Sequence, residues 1–236
     1  MNFEKALEDI RQGKVVLVYD FDDREGETDI TVASQFVTYE IIMSMRKNAG
    51  GLVCTTTPFD RARDLGLPYM ADVYYDDSSR FPLLRTMAPN DIPYDNTKSS
   101  FGITINHRKT YTGITDRDRA LTISRYAEVI FQNKPDSEII DDLGKEFRSP
   151  GHVHLLNATE NILTKRKGHT ELCTAMMYMA GVSPSATICE MMGDDGRSMT
   201  KKDVMKFAET NNIEFVTGEQ VIRKWEEFKK KTGRNS

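Results

Sequence analysis

The sequence has few cysteines, no long apolar run and no linker-like segment. Its three cysteines in 236 residues (Cys54, Cys173 and Cys189) fit reduced thiols, and no two form a C-x-x-C pair, which argues against a structural zinc. No apolar run reaches the roughly 20 residues of a membrane helix, and the N-terminus carries no apolar signal region. We therefore expect a cytoplasmic protein without a membrane partner. Since no Gly/Ser/Pro-rich linker or internal repeat divides the chain, we predict a single domain over residues 1–236.

The balance of charge is slightly acidic. A formal net charge of −4 argues against a nucleic-acid surface as the main function, so no nucleic-acid partner is expected.

Apolar patterning predicts strands and helices in irregular alternation. The run from Val15 to Tyr19 is apolar and mostly β-branched, which is typical of a strand buried on both faces. Helices are predicted after the capping threonines Thr38, Thr200 and Thr217. This order favours an α+β fold, a layered mixed β-sheet flanked by helices, over a regular βαβ winding. Residues 71–100 are rich in Asp, Asn, Pro and Ser and predict a surface loop insertion.

An acidic segment follows the first strand directly. It holds six carboxylates within ten residues: Asp20, Asp22, Asp23, Glu25, Glu27 and Asp29. Crowded like charges cost free energy unless a cation lies among them, and hard oxygen ligands favour Mg²⁺ or Mn²⁺. A solvated acidic turn is the alternative. Attachment to a core strand and the sharp turn allowed by Gly26 favour the metal site.

A second segment, R-K-G-H-T-E at residues 166–171, places His169 at the start of a predicted helix. The exposed amides of a helix N-terminus bind phosphate well, and Arg166, Lys167 and Thr170 could contact the same group. His169 could ligate a metal at the same place. The alternative is a basic turn with a capping threonine.

Two further segments carry candidate residues. His152 and His154 lie on the same side of a predicted strand, a spacing that could also bind zinc in a hydrolase. Glu190 lies in an apolar strand, where burial favours a base with a raised pKa over a structural ion pair.

Five ordered segments together resemble the 3,4-dihydroxy-2-butanone 4-phosphate synthase family of riboflavin biosynthesis, in its archaeal form. They are Y-D-F-D-D-R-E-G-E-T-D (19–29), T-G-I-T-D-R-D-R-A (112–120), R-S-P-G-H-V (148–153), R-K-G-H-T-E (166–171) and I-C-E-M-M-G-D-D-G (188–196). The resemblance covers nearly the whole chain. The bacterial form has R-E-N-E-G-D where this chain has R-E-G-E-T-D, and the 71–100 insertion is longer than in bacterial relatives. The cysteine-rich motif of a fused GTP cyclohydrolase II is missing, so the single-function form is expected.

The resemblance implies that D-ribulose 5-phosphate is converted to 3,4-dihydroxy-2-butanone 4-phosphate and formate. The expected course is a metal-stabilised enediolate, dehydration and a skeletal rearrangement. Glu25 and His169 match the ligands of Mg²⁺ or Mn²⁺, one or two ions per subunit. The family forms homodimers with active sites near the subunit interface. A non-catalytic module binding nucleotide or RNA is a weaker alternative, given the negative net charge.

The resemblance also assigns the remaining site residues. The expected catalytic residues are His152, Glu190, Asp20, Glu27 and Cys54. The expected substrate-binding residues are Arg24, Glu25, Asp29, Arg166, Lys167, Gly168, His169, Thr170 and Glu190.

Overall fold

A computed structural model describes residues 2–87 and 92–233, which build one mixed β-sheet between two layers of helices. The seven strands lie in the order β4-β5-β3-β6-β2-β1-β7. They are β1 (Val16–Tyr19), β2 (Thr28–Ala33), β3 (Cys54–Thr57), β4 (Phe101–His107), β5 (Phe147–Asn157), β6 (Ala186–Glu190) and β7 (Phe215–Thr217). β1 is parallel to β7 and β3 to β5, whereas the other neighbours are antiparallel. The predicted α+β fold with a layered mixed sheet is confirmed.

The helices of the same residues follow in chain order. They are α1 (Phe3–Arg11), α2 (Tyr39–Ser44), α3 (Phe59–Asp64), α4 (Met70–Asp76), α5 (Pro82–Met87), α6 (Asp116–Ile130), α7 (Asp136–Glu146), α8 (His169–Ala180), α9 (Lys201–Asn211) and α10 (Gly218–Thr232). α2 continues into a π-helical turn, Met45–Ala49, which ends at Gly50 with a φ of +91°. No helix in the described ranges is long and apolar enough to cross a membrane.

Strand β1 shows why the sheet needs a helical layer on each face. Val16 and Val18 belong to one buried cluster with residues of α1, α8 and α10, while Leu17 and Tyr19 belong to another with residues of α2, α6, α7 and α9. All four residues are buried, which confirms the predicted strand. Since side chains alternate along a strand, the next residue, Asp20, falls on the α8 side of the sheet. That is the side on which the candidate site forms.

Capping threonines were reliable signals of helix starts, but helix α7, which lies outside the 71–100 segment, was missed. The side chains of Thr38 and Thr200 accept backbone hydrogen bonds at the starts of α2 and α9, and Thr217 forms a capping box with Gln220 before α10. Helix α7 was not predicted. Ile139 is its one buried residue, so its apolar signal is weak.

The predicted loop insertion at residues 71–100 is only partly a loop. It contains most of α4, a 3-10 turn at Asp77–Ser79, and α5. None of the residues in these three elements is buried, so the helices of this segment lie at the surface. Residues 88–91 of the insertion lie outside the described ranges. Its final part, from residue 92, returns to the candidate site.

Candidate active site

Asp20 organises the acidic loop between β1 and β2. Its side chain is fully buried, and both of its carboxylate oxygens accept hydrogen bonds. Oδ1 accepts the backbone N–H of Glu27 at 3.0 Å, and Oδ2 accepts the N–H of Glu25 at 3.0 Å and Nη1 of Arg24 at 3.1 Å. Gly26, between the two glutamates, has a φ of +67°. Asp20 therefore holds the loop in shape through its hydrogen bonds to two backbone N–H groups and to Arg24.

The loop brings Glu25 against the start of α8. Its Oε2 lies 3.1 Å from Nδ1 of His169, although 144 positions separate the two residues. Nε2 of His169 lies 3.2 Å from the carbonyl oxygen of Glu27 and 3.8 Å from Oδ1 of Asp29. That Oδ1 is buried and has no hydrogen-bond partner. In the described part of the chain, the one group of three side chains arranged to hold a metal is Asp20, Glu25 and His169, whose ligand atoms lie within 4.8 Å of one another.

Burial and charge shift the proton affinities of these groups in different directions. Burial lowers the pKa of His169, but the carboxylates of Asp29 and Glu25 outweigh it and raise that pKa to about 10. Burial raises the pKa of Glu25, but the hydrogen bond with His169 and the positive charges of His169, Arg24 and Arg166 together outweigh it and lower the pKa to about 2. Burial dominates at Asp29 and raises the pKa of its carboxyl well above the ordinary value. The site therefore pairs an ionised glutamate with a charged imidazole.

Two arginines converge beside this pair. Arg24 forms ion pairs with Asp20 and Glu25, and Nη1 of Arg166 lies 2.6 Å from the buried carboxylate of Glu171. Gly168 explains how they approach α8, because a Cβ there would lie 2.4 Å from Arg166 Nη1 and 2.8 Å from Arg24 Nη2. Two guanidinium groups next to the N-terminus of a 12-residue helix form a site suited to an anion.

The insertion supplies two residues that the sequence reasoning missed. Oδ2 of Asp95 lies 3.1 Å from Nη2 of Arg24 and 3.3 Å from Nε of Arg166. The ring of Tyr94 lies against Arg24, with its centroid 5.1 Å from Cζ. The sequence offered one signal for these two residues, an aromatic followed by a carboxylate in the segment I-P-Y-D-N. Their contact with residues 24 and 166 depends on the tertiary fold.

The groups above border a cavity of about 140 Å³ on the α8 side of the sheet. Among its lining residues are Glu25, Asp29, Cys54, Tyr94, Arg166, His169, Thr170 and Glu190. Glu190 faces Asp29 across the β2–β6 pair and accepts the N–H of Leu52 at 2.7 Å. Burial raises the pKa of Glu190, as its apolar strand predicted, and the pKa of the Cys54 thiol, so Cys54 is a neutral lining group.

Two predicted residues lie at the margin of the cavity. Glu27 is half-buried, and its Oε1 accepts a hydrogen bond from Ser198 at 2.6 Å, so Ser198 is a further contact that the sequence did not indicate. Lys167 is exposed and lines a wider neighbouring depression of about 530 Å³ that also contacts Arg24, Tyr94 and Asp95. Lys167 therefore differs from the buried Arg166 next to it.

His152 and His154 do not line the 140 Å³ cavity. His154 is the Cα partner of Cys54 in the β3–β5 pair, and its ring packs edge-on against Phe101 with the centroids 5.9 Å apart. His152 is exposed, and its Nδ1 lies 3.0 Å from the amide nitrogen of Asn106. The two histidines therefore have different partners, and neither belongs to a metal-binding group in the described part of the chain.

A mixed sheet carrying a carboxylate–imidazole pair beside two guanidinium groups defines an enzyme site for a small anionic substrate. The family model for 3,4-dihydroxy-2-butanone 4-phosphate synthase matches residues 4–224. The chain is 45% identical over 227 residues to the 3,4-dihydroxy-2-butanone 4-phosphate synthase of Methanothermobacter thermautotrophicus, covering 96% of each chain. It is 43% identical over 231 residues to that of Archaeoglobus fulgidus, covering 97% of this chain and 96% of the relative.

The fold matches as well. A 3,4-dihydroxy-2-butanone 4-phosphate synthase solved in complex with two magnesium ions superimposes with a TM-score of 0.73 at 23% identity, covering 96% of this chain and 97% of the other. The chain belongs to the 3,4-dihydroxy-2-butanone 4-phosphate synthase family. The enzyme class and the riboflavin-pathway reaction predicted from the sequence are thereby confirmed, and the alternative of a non-catalytic module is wrong.

Proposed function

We propose that the cavity bordered by Glu25, His169 and Glu190 is where this chain converts D-ribulose 5-phosphate to 3,4-dihydroxy-2-butanone 4-phosphate and formate. The observation that carries this proposal is the 3.1 Å contact between Glu25 and His169, with Arg24 and Arg166 alongside. A ketose phosphate needs both kinds of group: the carboxylate–imidazole pair to hold a cation for its oxygens, and the guanidinium groups for its phosphate. Membership of the family supports the same assignment.

A divalent cation, Mg²⁺ or Mn²⁺, is proposed to bind at Glu25 and His169. The donor set fits, because a carboxylate and an imidazole are in contact and a buried oxygen of Asp29 lacks a hydrogen-bond partner. Asp20 is better suited to support, since its oxygens already accept backbone N–H groups. The relative solved with two magnesium ions supports a stoichiometry of one or two. When bound, such an ion supplies positive charge for the substrate oxygens.

The phosphate of the substrate is proposed to lie between Arg24, Arg166 and the N-terminus of α8. Guanidinium groups bind phosphate through parallel N–H donors, and the amides of His169 and Thr170 begin the helix. Thr170 lines the same cavity. The Asp95 carboxylate contacts both arginines, so the phosphate has to displace it or share them.

Proton transfer is proposed to fall to Glu190. The reaction removes the C3 proton and expels the C1 hydroxyl as water, so a group that exchanges protons near neutral pH is required. Burial raises the pKa of Glu190, whereas Glu25 is held ionised beside His169. This difference suits Glu25 to binding a cation and Glu190 to exchanging protons with the substrate.

We also propose a homodimer in the cytoplasm. Strand β4 is an edge of the sheet, and it borders an apolar depression of about 530 Å³ lined by Met70, Tyr74, Phe101, Ile103 and Pro150 among others. An edge strand with exposed aromatic residues is a surface that a second copy can cover. His152 lies on the neighbouring strand, outside the cavity of its own chain, so a site near a subunit interface would give it a role. The three unpaired, buried cysteines support a reducing compartment.

The test is formate release from ribulose 5-phosphate by the purified protein. We expect release with Mg²⁺, none after exhaustive EDTA treatment, and recovery when Mg²⁺ is restored. Glu25→Ala should abolish release, whereas the exposed Lys167→Ala serves as the matched control and should retain most of it. Formate release that persists without divalent metal would overturn the proposed cation. Release by Glu25→Ala would overturn the proposed site.

A further inference from the structure

We infer that Asn106 is a positioning residue that fixes the ring orientation and the tautomer of His152, making His152 a hydrogen-bond donor through Nε2. The inference rests on the proposed function, in which His152 acts at an active site near the interface of the proposed homodimer. The inference specifies which ring nitrogen of the exposed His152 carries the hydrogen. It also gives a structural role to part of the T-G-I-T-D segment, which contains none of the assigned site residues.

His152 lies at the end of a large bulge in β5. Val153 pairs with Ile105 of β4, but the next pair along is Arg148 with Asn106, so residues 149–152 have no partner in the ladder. Gly151 makes the close approach possible, because a Cβ there would lie 2.0 Å from the backbone of Ile105. Bulges next to active sites commonly redirect a side chain, and this one turns His152 outward over Asn106.

Asn106 binds His152 at two points from beneath the bulge. The asparagine is buried, with 4% of its surface exposed. Its Oδ1 accepts the backbone N–H of His152 at 2.8 Å, and its Nδ2 lies 3.0 Å from the ring Nδ1. A buried side chain bonded to both the backbone and the ring restrains the position and rotation of an otherwise exposed histidine.

The orientation of the Asn106 amide follows from two backbone groups. Only an oxygen can accept the N–H of His152, and only an NH₂ group can donate to the carbonyl of Thr112, which lies 3.3 Å from Nδ2. Since Nδ2 is therefore a donor, the ring Nδ1 that faces it has to accept. The neutral ring then carries its hydrogen on Nε2. A proton on Nδ1 would place two donors face to face.

The neighbouring loop holds Asn106 in place. Gly113 has a φ of +95°, and a Cβ there would lie 2.1 to 2.4 Å from the side-chain atoms of Asn106. Oδ2 of Asp118, in the first turn of α6, accepts the N–H of Gly113 at 3.0 Å. The glycine and the first turn of α6 thus form a cradle shaped for this amide.

This arrangement separates two roles for His152. A general base at Nε2 needs its hydrogen on Nδ1, whereas the observed partner of Nδ1 requires the opposite tautomer. His152 is therefore assigned to hydrogen-bond a substrate oxygen through Nε2–H, which leaves proton abstraction to a carboxylate. The hydrogen-bond partner of Nδ1 determines this role, because an imidazole by itself can adopt either tautomer.

The tautomer can be measured directly in the full chain. With ¹⁵N-labelled histidine, long-range ¹H–¹⁵N correlation spectra at about pH 8, well above the ordinary histidine pKa, show which ring nitrogen carries the hydrogen. The four histidines give few signals, and a His152→Gln variant identifies those of His152. We expect Nε2 to be protonated and Nδ1 to be unprotonated. In Asn106→Asp, a carboxylate replaces the donor and should move the hydrogen to Nδ1, whereas Asn48→Asp on the exposed surface should change nothing.

Kinetics distinguish positioning from a purely structural role. Asn106→Leu should lower kcat roughly ten- to a hundredfold, as is typical when a group that orients a histidine is lost, with KM and Mg²⁺ affinity little changed. A wild-type spectrum with the hydrogen on Nδ1, or an unchanged His152 signal in Asn106→Asp, would overturn the inference. The spectra test the tautomer independently of turnover. If His152→Ala were fully active, the proposed role of His152 would be wrong, whereas the wild-type spectra would still show which ring nitrogen carries the hydrogen.

Discussion

The carboxylate of Glu25 lies 3.1 Å from the imidazole of His169 across 144 positions of sequence, and Asp20 holds the loop that brings them together. If both bind one cation, removal of either should empty the site. We expect Glu25→Ala and His169→Ala each to cost roughly three decades of kcat/KM, about 4 kcal/mol at 1.36 kcal/mol per decade. The double variant should lose little more than the worse single one, because residues acting as a unit are not additive.

The measurement is kcat/KM for the wild type, both single variants and the double variant at saturating Mg²⁺, with folding checked by circular dichroism. Losses that multiply would show that the two residues act independently and would leave the shared cation without support.

Metal binding should release protons from this pair. With a pKa of about 10, His169 is protonated at neutral pH, whereas Glu25, with a pKa of about 2, is already ionised. A cation requires the neutral imidazole, so the apparent Mg²⁺ affinity should rise with pH until His169 is neutral without metal. Calorimetric titration in two buffers of different ionisation enthalpy should give close to one proton released per ion at neutral pH. No proton release in a titration that shows binding would remove His169 from the ligand set.

Arg166 and Lys167 should differ although they are adjacent cations. The Arg166 side chain is buried against Glu171 and lies over Gly168, whereas Lys167 is exposed. We expect Arg166→Ala to raise KM for ribulose 5-phosphate at least tenfold, since a charge-assisted bond contributes roughly 1.5–3 kcal/mol. Lys167→Ala should stay within about threefold of the wild type, in line with a surface charge. Equal losses in steady-state kinetics would contradict this asymmetry.

The sequence indicated those parts of the site that depend on local residue types, and it missed those that depend on tertiary contacts. Glu25 and His169 each lie in a short segment whose residue types are unusual, so each could be named as a ligand, and capping threonines located helix starts. The sequence alone could not show that Asp20 accepts backbone N–H groups, because a carboxylate in an acidic run looks the same whether it binds a cation or the backbone. Tyr94 and Asp95 were missed because their contacts with Arg24 depend on how the insertion folds back. The bulge that carries His152 arises from a register shift against β4, which no local pattern encodes.

His154 should be dispensable although His152 is not. The ring of His154 is half-buried against Phe101, and its Nδ1 has no hydrogen-bond partner. His152, by contrast, is exposed and held by Asn106. We expect His154→Ala to retain kcat within about threefold and His152→Ala to lose roughly two decades or more, the range typical of acid–base and positioning groups. Loss of turnover in a folded His154→Ala protein would contradict this separation of roles between the two histidines.

Asp95 should compete with the substrate for the two arginines. Burial raises the pKa of Asp95, but hydrogen bonds from Thr97 and Arg24 outweigh it and lower the pKa, so the carboxylate is ionised at neutral pH. Its Oδ2 lies near both Arg24 and Arg166, where the phosphate is proposed to bind. Asp95→Asn keeps the shape and removes the charge, so KM for ribulose 5-phosphate should fall roughly three- to tenfold, close to 1 kcal/mol.

If Asp95 competes with the substrate, a second result is expected that a loosened loop alone would not produce. The inhibition constant of inorganic phosphate should fall in Asp95→Asn by a similar factor, because the same arginines are released for either anion. Asp77→Asn, which neutralises an exposed carboxylate of the same insertion, is the matched control and should leave both constants unchanged. A rise in KM for Asp95→Asn would instead mean that Asp95 holds the arginines in their binding positions, because the loss of that support would then outweigh the relief of competition.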